Sequence, residues 1–165
     1  AGVTVGAYGA ETENKLNSAT LAKDAFEGVW YAKYSYGPVS IGYSESYLDQ
    51  GASVAAEATT ATKVVRTAGG IFDTQTMSIA YNVNDDLSVS YTHTDDTYDA
   101  QTGGGSGAAN AVNIADVVKE TRAMQVAYSM GAMSIKAYKM EIDNPGYSST
   151  AQDASVTEVA LGLAF

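Results

Sequence analysis

Short runs in which apolar and small polar residues alternate recur along the chain, and polar segments separate them. Alternation with a period of two is typical of β-strands, because successive side chains point to opposite faces of a sheet. Residues 39–44, 76–81 and 87–92 follow this pattern without exception. The pattern predicts eight strands, near residues 2–10, 25–36, 38–47, 71–82, 87–95, 121–130, 133–142 and 155–165.

The connections between these strands alternate between short and long. Short turns are expected near Gly37, Asn84 and Gly131, at intervals of 47 residues. Long polar segments lie between the other strand ends, at 11–23, 49–62, 95–119 and 143–153. Short turns at one rim and long loops at the other are typical of outer-membrane barrels, whereas sandwiches mix turn lengths and contain Greek-key crossings. The pattern therefore favours an all-β fold, a single antiparallel transmembrane β-barrel region over residues 1–165.

The composition of the chain mainly excludes classes of site, partner and fold. The chain has 165 residues, no Cys, one His and a formal net charge of -10. A chain without Cys has no disulfides, thiolate metal sites or cysteine nucleophiles, and its acidic balance disfavours nucleic acid as a partner. The sequence has no apolar run long enough for a transmembrane helix and no secretion signal at its start. A mature or truncated chain is therefore expected.

The two faces of the predicted strands differ in character. One face is apolar, with tyrosines near strand ends, where a phenol reaches the headgroup level of a bilayer. The other face is mostly Ser, Gly, Thr and Ala. Such small side chains would leave an eight-stranded barrel hollow, so they favour a wider, wet barrel of which these strands form half. Residues predicted to face lipid or to form aromatic girdles are Trp30, Tyr36, Tyr43, Tyr81, Tyr91, Tyr128 and Phe165.

Four charged residues fall on the small-residue face and are candidates for lining a pore: Lys33, Lys136, Glu27 and Glu158. A lysine facing lipid would cost about 2–4 kcal/mol at the bilayer midplane, so Lys33 and Lys136 are expected to face the pore. The alternative is that both lie near the rim and extend to water. In 133–142 the apolar parity changes after Ala137, which indicates either that the strand leaves the membrane or that a bulge shifts its frame.

The closing residues 159–165 resemble the C-terminal strand of Gram-negative outer-membrane proteins, with a terminal Phe and apolar residues at alternate positions before it. Together with 29–43 and 133–138, they resemble the C-terminal half of the general diffusion porins of α-proteobacteria. The resemblance implies a sixteen-stranded homotrimeric barrel in the outer membrane, in contact with lipid and lipopolysaccharide. Its function would be passive diffusion of small hydrophilic solutes and ions. The constriction loop would lie in an N-terminal half, so none of its residues is assigned here.

Little other chemistry is expected, and we predict no enzymatic activity. His93 and Asp95 share a face and could form an acid/base dyad like that of omptin-type outer-membrane proteases. That face is the outward one, so a histidine in the interfacial aromatic belt is the preferred interpretation. Asp95, Asp96 and Asp99 are expected in one acidic loop, where they are candidates for Ca²⁺ binding. A solvated acidic surface is preferred there, and no other cofactor is expected.

Two further interpretations remain open at this stage. The chain could form a complete eight-stranded outer-membrane anchor or adhesion barrel, which its length fits and its small interior residues disfavour. It could also form a soluble acidic β-sandwich that acts as a binding module. Folding only in detergent would exclude the sandwich, and channel conductance would separate a porin from an anchor.

Overall fold

The computed structural model describes residues 1–13, 20–22, 24–50, 52–55, 66–68, 70–99 and 115–164. Within these ranges it contains eleven β-strands and one short 3-10 turn, Pro145–Tyr147. The strands are β1 (Gly2–Thr12), β2 (Thr20–Ala22), β3 (Ala25–Tyr36), β4 (Val39–Asp49), β5 (Ala52–Ala55), β6 (Arg66–Ala68), β7 (Ile71–Asn82), β8 (Leu87–Asp99), β9 (Val117–Met130), β10 (Met133–Asp143) and β11 (Ala154–Leu163). In this described part, no helix is both long and apolar enough to cross a membrane.

Eight strands form one antiparallel sheet in the order β1-β3-β4-β7-β8-β9-β10-β11. Strands β2, β5 and β6 form a separate three-stranded sheet from segments between the longer strands. The large sheet confirms the prediction of an all-β fold with eight antiparallel strands. It is open, because β1 and β11 each pair with a single neighbour within the described ranges.

The short turns lie where the sequence predicts them. Gly37 and Gly131 have φ values of 54° and 57°, in the left-handed region that favours glycine, and each begins a tight hairpin turn. Between β7 and β8, the Asn84 side-chain oxygen accepts hydrogen bonds from the backbone N–H groups of Asp86 and Leu87, at 2.9 and 2.8 Å. Because the strands follow one another as a meander, these three turns lie at the same end of the strands.

The prediction of a loop over 95–119 is wrong at both ends. Strand β8 continues to Asp99, and β9 already begins at Val117. Charged residues occupy both faces of these strand ends, so no alternation of apolar and polar residues marked them in the sequence.

The bulge considered for 133–142 is also wrong. Strand β10 keeps one uninterrupted register with both β9 and β11 from Met133 to Ile142. Lys139 and Glu141 therefore lie on the same face as Met133 and Ile135. The change after Ala137 is a change from apolar to charged residues along one face of a regular strand.

Candidate functional site

The register sorts the side chains of the eight-stranded sheet into two faces, because residues paired across neighbouring strands point to the same side. One face collects the small residues and is called the polar face below. The other face carries most of the large apolar side chains and is called the apolar face. The central members of the polar face are Ser40, Gly42, Ser44, Thr76, Ser78, Ala80, Ser90, Thr92 and Thr94.

Hydroxyl groups join neighbouring strands on the polar face. The side-chain oxygens of Ser35 and Ser40 are 2.9 Å apart, and those of Thr76 and Thr94 are 3.0 Å apart. The ring of Tyr31 lies against Gly6 of the neighbouring strand, in the space that a Cβ atom would occupy. The centre of the polar face is therefore a low surface of short hydrogen-bonding groups.

All four charged residues predicted to line a pore lie on the polar face. Lys33 and Lys136 are exposed and stand among small residues, each three residues from the end of its strand (β3 or β10) that meets a short turn. Glu27 is exposed and lies near the other end of β3. Glu158 accepts a hydrogen bond from the Tyr138 hydroxyl at 3.1 Å. Their role in a pore stays a prediction.

The segment that follows β10 folds onto the polar face. Asn144, Gly146 and Tyr147 have φ values of 52°, 67° and 56°, so the backbone turns sharply through left-handed conformations. The Asn144 side-chain amide donates a hydrogen bond to the backbone oxygen of Val118 at 2.8 Å. These features define the Tyr147 turn, residues 144–147, which brings an aromatic side chain over β7, β8 and β9.

The ring of Tyr147 packs against two aromatic side chains of the sheet. Its centroid lies 5.4 Å from that of Phe72 and 5.3 Å from that of Tyr98. The Lys119 ammonium lies 4.4 Å from the centre of the Tyr147 ring, within cation–π range.

The Tyr147 hydroxyl completes a network around one carboxylate. It donates a hydrogen bond to Asp96, and Lys119 Nζ donates to the same Asp96 oxygen at 2.8 Å. Thr74 Oγ1 donates to the other Asp96 oxygen at 2.9 Å. Burial and the bond to Asp96 raise the pKa of Tyr147, while the nearby Lys119 opposes this shift. The neutral phenol therefore holds the turn against the sheet.

A cavity of about 510 Å³ lies beside the Tyr147 turn. It follows one hydrogen-bonded row across the polar face, through Tyr8, Val29, Ser46, Thr74 and Asp96. Its remaining lining includes a second carboxylate and further aromatic and apolar groups, namely Glu27, Leu48, Phe72 and Tyr147. The described lining contains no Lys, Arg or His.

Apolar side chains form a continuous exposed band on the apolar face, beside the short turns. Val5, Ile79 and Leu161 expose 67%, 46% and 61% of their surface. The register places on this face the predicted girdle residues Trp30, Tyr36, Tyr43, Tyr81, Tyr91 and Tyr128. The remaining predicted residue, Phe165, lies outside the described ranges. The apolar band consists of Val3, Val5, Tyr34, Tyr36, Val39, Ile41, Met77, Ile79, Val89, Tyr91, Met124, Val126, Ile135, Ala137, Val159 and Leu161.

The apolar band crosses the sheet obliquely. Glu45 ends the band on β4, and its hydrogen-bonded row continues through β7, β8 and β9 to Asp143 on β10. On β10 the band already ends at Lys139, four residues nearer the short turn. The first polar residues beyond the band, strand by strand, are Glu45, Gln75, His93, Arg122, Lys139 and Thr157.

The slope of this boundary follows from strand geometry. Four residues measure about 13 Å along a strand, and four strand spacings measure about 19 Å across a sheet. The band is therefore inclined by about 35° to the hydrogen-bonded rows, so the strands tilt by about 35° from the normal to the band.

Beyond the band, β8, β9 and β10 carry a charged zone, formed on the apolar face by His93, Asp95, Glu120, Arg122, Lys139, Glu141 and Asp143. Arg122 bridges Glu120 and Asp143 at 2.7 and 2.9 Å. His93 lies 3.2 Å from Asp95, as their shared parity predicts. Arg122 therefore joins β9 to β10 by ion pairs, and His93 adjoins the same zone from β8, where one of its nitrogens lies 3.5 Å from Glu120.

A different arrangement closes the band on β3 and β4. Glu45 accepts hydrogen bonds from the Trp30 indole at 2.9 Å and from the Tyr43 hydroxyl at 2.5 Å. The two rings lie 5.5 Å apart, centre to centre. Two predicted girdle residues thus surround the carboxylate.

The predicted calcium candidates do not form one site. Asp95 and Asp99 lie on the apolar face, whereas Asp96 lies on the polar face, because strand side chains alternate. The prediction that these three carboxylates lie in one loop is wrong. In the described part of the chain, the group whose ligand atoms come together is His93, Asp95 and Glu120, within 4.8 Å of one another.

Sequence reasoning missed Lys119, Arg122 and Tyr147. Near Lys119 and Arg122, both faces of β9 carry charged side chains. The sequence therefore shows no alternation of apolar and polar residues that would mark this part of the strand. Tyr147 follows Asn-Pro-Gly, which marks a turn. An aromatic residue in such a turn is the one sequence feature that could have indicated that the turn packs on the sheet.

Comparison of the chain with protein-family models, curated proteins and solved structures finds no match. The functional inference therefore rests on the geometry of the two faces and on the residues they carry.

Proposed function

We propose that the eight-stranded sheet forms part of the wall of a porin, a transmembrane β-barrel in a Gram-negative outer membrane. Small hydrophilic solutes and ions diffuse passively along the polar face, and lipid covers the apolar band. The observation that carries this proposal is the oblique course of the band. A bilayer presents its hydrocarbon as a flat layer, so a lipid-facing band must cross tilted strands at their angle of tilt.

The angle supports the proposal by its size. Barrel closure requires strands to tilt by about 35–45°, and the band of this sheet implies about 35°. A soluble sandwich instead buries one face of each sheet against the other sheet. Met77, Ile79 and Leu161 expose 56%, 46% and 61% of their surface, so no such burial covers them.

The polar face supports a wide, water-filled interior. The short hydroxyls at its centre offer water many hydrogen-bond partners, and these central residues are too small to fill a closed eight-stranded interior. Additional strands between β1 and β11 would close a wider barrel, of sixteen strands in the porin proposal. The homotrimer and the contact with lipopolysaccharide belong to the same proposal and rest on the sequence resemblance.

Conductance in planar bilayers tests the proposal directly. The full-length protein, with any strands that lie outside these 165 residues, is refolded in detergent, checked for heat-dependent gel migration, and added to one side of a bilayer in KCl. We expect stepwise current increases from single insertions. Membrane insertion without conductance would instead identify the eight-stranded anchor, and folding without detergent would identify the soluble sandwich.

Two adjacent substitutions provide a matched control for the faces. Ile79→Lys places a cation in the apolar band, and Ser78→Lys places the same cation on the polar face of the same strand. We expect Ile79→Lys to impair insertion, since a lysine costs about 2–4 kcal/mol at the bilayer midplane. Ser78→Lys should insert normally and shift ion selectivity toward anions. Equal effects of the two substitutions would overturn the assignment of faces.

A further inference from the structure

We propose that the Tyr147 turn narrows the channel and that the cavity beside it is a transit site for small organic cations. The inference rests on the proposed porin function and assigns a constriction to this part of the chain. Its starting observation is that the Tyr147 turn, a connecting segment between two strands, lies folded over the polar face.

The contacts of Tyr147 hold the turn in that position. Its ring packs on Phe72 and Tyr98, at 5.4 and 5.3 Å, and its hydroxyl bonds to Asp96. Lys119 donates to that hydroxyl at 2.9 Å. A segment held by ring contacts, by hydrogen bonds to two charged side chains and by the hydrogen bond from Asn144 to the Val118 backbone reduces the space above β7, β8 and β9.

The lining of the adjacent cavity indicates the class of solute. Glu27 and Asp96 supply negative charge, and Tyr8, Phe72 and Tyr147 supply aromatic groups. The cation nearest to Asp96, Lys119, bonds to Asp96 and Tyr147 and is not part of the described lining. Carboxylates combined with aromatic faces attract ammonium groups through charge and cation–π contact. A volume of about 510 Å³ accommodates a solute of a few carbon atoms together with water.

The two carboxylates have different parts in this site. Asp96 accepts hydrogen bonds from Thr74, Lys119 and Tyr147, so its main effect is to hold the turn. Glu27 is exposed on the opposite side of the cavity. Glu27 is therefore the carboxylate available to a passing cation, and Tyr147 is the residue that sets the width.

Single-channel recording with choline chloride as the probe tests the inference. Choline added to a KCl solution should reduce the potassium current of the unaltered protein in a concentration-dependent manner, whereas glucose should not. Tyr147→Ala should increase the conductance and weaken the choline block about two- to fivefold, the loss expected for one exposed cation–π contact. Tyr147→Phe keeps the ring and should retain most of the block.

Glu27→Gln tests the charge separately from the width. We expect it to weaken the choline block about two- to fivefold, the range for an exposed charge contact. Glu158→Gln is the matched control, because Glu158 lies on the polar face but does not line the cavity. It should leave the block unchanged.

The outcomes separate this inference from the proposed function. An unaltered protein that inserts but conducts no current contradicts the porin itself. An unaltered protein that conducts, yet shows no choline block or the same conductance after Tyr147→Ala, overturns the constriction alone. Equal weakening by Glu27→Gln and Glu158→Gln overturns the assignment of the cavity as the cation site.

Discussion

The apolar face differs sharply between β3 and the β8–β10 region. On β3 this face is uncharged over the whole strand and comprises Phe26, Gly28, Trp30, Ala32, Tyr34 and Tyr36. On β10 it is apolar only from Met133 to Ala137, and charged residues follow. At the tilt derived above, the uncharged stretch of β3 covers a height of about 27 Å, close to the height of an outer-membrane apolar band. The apolar stretch of β10 is much shorter and measures only about 13 Å along the strand.

The difference shows that one sheet can meet two environments. The β3 surface suits hydrocarbon over its full height, and Trp30 and Tyr43 surround the nearest carboxylate, Glu45. The charged zone of β8–β10 is unsuited to hydrocarbon, because lone charges there are costly. In the proposed barrel the charged zone lies at the level of the lipid headgroups or against another protein surface.

The largest expected effect comes from placing the same charge at two positions of one hydrogen-bonded row. Ala32 lies in that row between Val5 and Met77 of the apolar band, and His93 lies in the charged zone. Ala32→Arg should lower the free energy of unfolding of the protein in lipid vesicles by about 2–4 kcal/mol, because the guanidinium then faces hydrocarbon. Denaturant titration of vesicle-refolded protein measures this. His93→Arg should change it far less; similar losses would show that the two regions share one environment.

A smaller effect is expected from breaking the ion pairs of the charged zone. Arg122→Leu removes the guanidinium that pairs with Glu120 on β9 and with Asp143 on β10. The two carboxylates then lose the cation between them. We expect a modest loss of stability in low salt that shrinks as salt is added, since mobile ions screen exposed charges. The matched control is Met124→Leu, two residues away within the apolar band, which should show no salt dependence. A salt-independent loss in Arg122→Leu would indicate that packing, rather than charge, holds this zone.

The smallest expected effect is the pH dependence of the conductance through the Tyr147 turn, which links the connection after β10 to β8 and β9. Near neutral pH this effect is absent. Because the pKa of Tyr147 is raised in the folded protein, its contribution to stability is complete below the ordinary tyrosine pKa of about 10. The contribution is lost as the pH rises through the raised value. Conductance should therefore stay constant from neutral pH to about pH 9 and increase at higher pH. In Tyr147→Phe the alkaline increase should be absent; an identical increase would assign it to another group.

Sequence reasoning succeeded where one face of a strand was apolar. The run 76–81 alternates strictly, and β7 has the predicted bounds and face. It failed at 95–99 and 117–119, where both faces are charged and hydrophobic period is absent. The position of the Tyr147 turn was also beyond reach, because it depends on Phe72 and Lys119, which are distant in the chain and adjacent only after the sheet has formed.

The oblique band could be recognised only from the register. The sequence identifies Glu45 and Lys139 as the first charges beyond two apolar runs, but it does not state which rows they occupy. The pairing of residues across the four strand boundaries between β4 and β10 shows how far apart the two rows lie, and this offset gives the inclination of the apolar band. The candidate pore face, in contrast, follows from local alternation alone, which explains why Lys33 and Lys136 were placed on it without knowledge of the register.

Within the described ranges, β1 and β11 each have one unpaired margin, which constrains how the proposed barrel could enter a bilayer. Each margin carries a row of main-chain amides and carbonyls that hydrocarbon cannot solvate, and each such group costs several kcal/mol when left unmatched there. A flat ribbon could not cross the membrane first and find its remaining strands afterwards. In the proposed barrel, we therefore expect the pairing of both margins with the remaining strands to be coupled to passage into lipid.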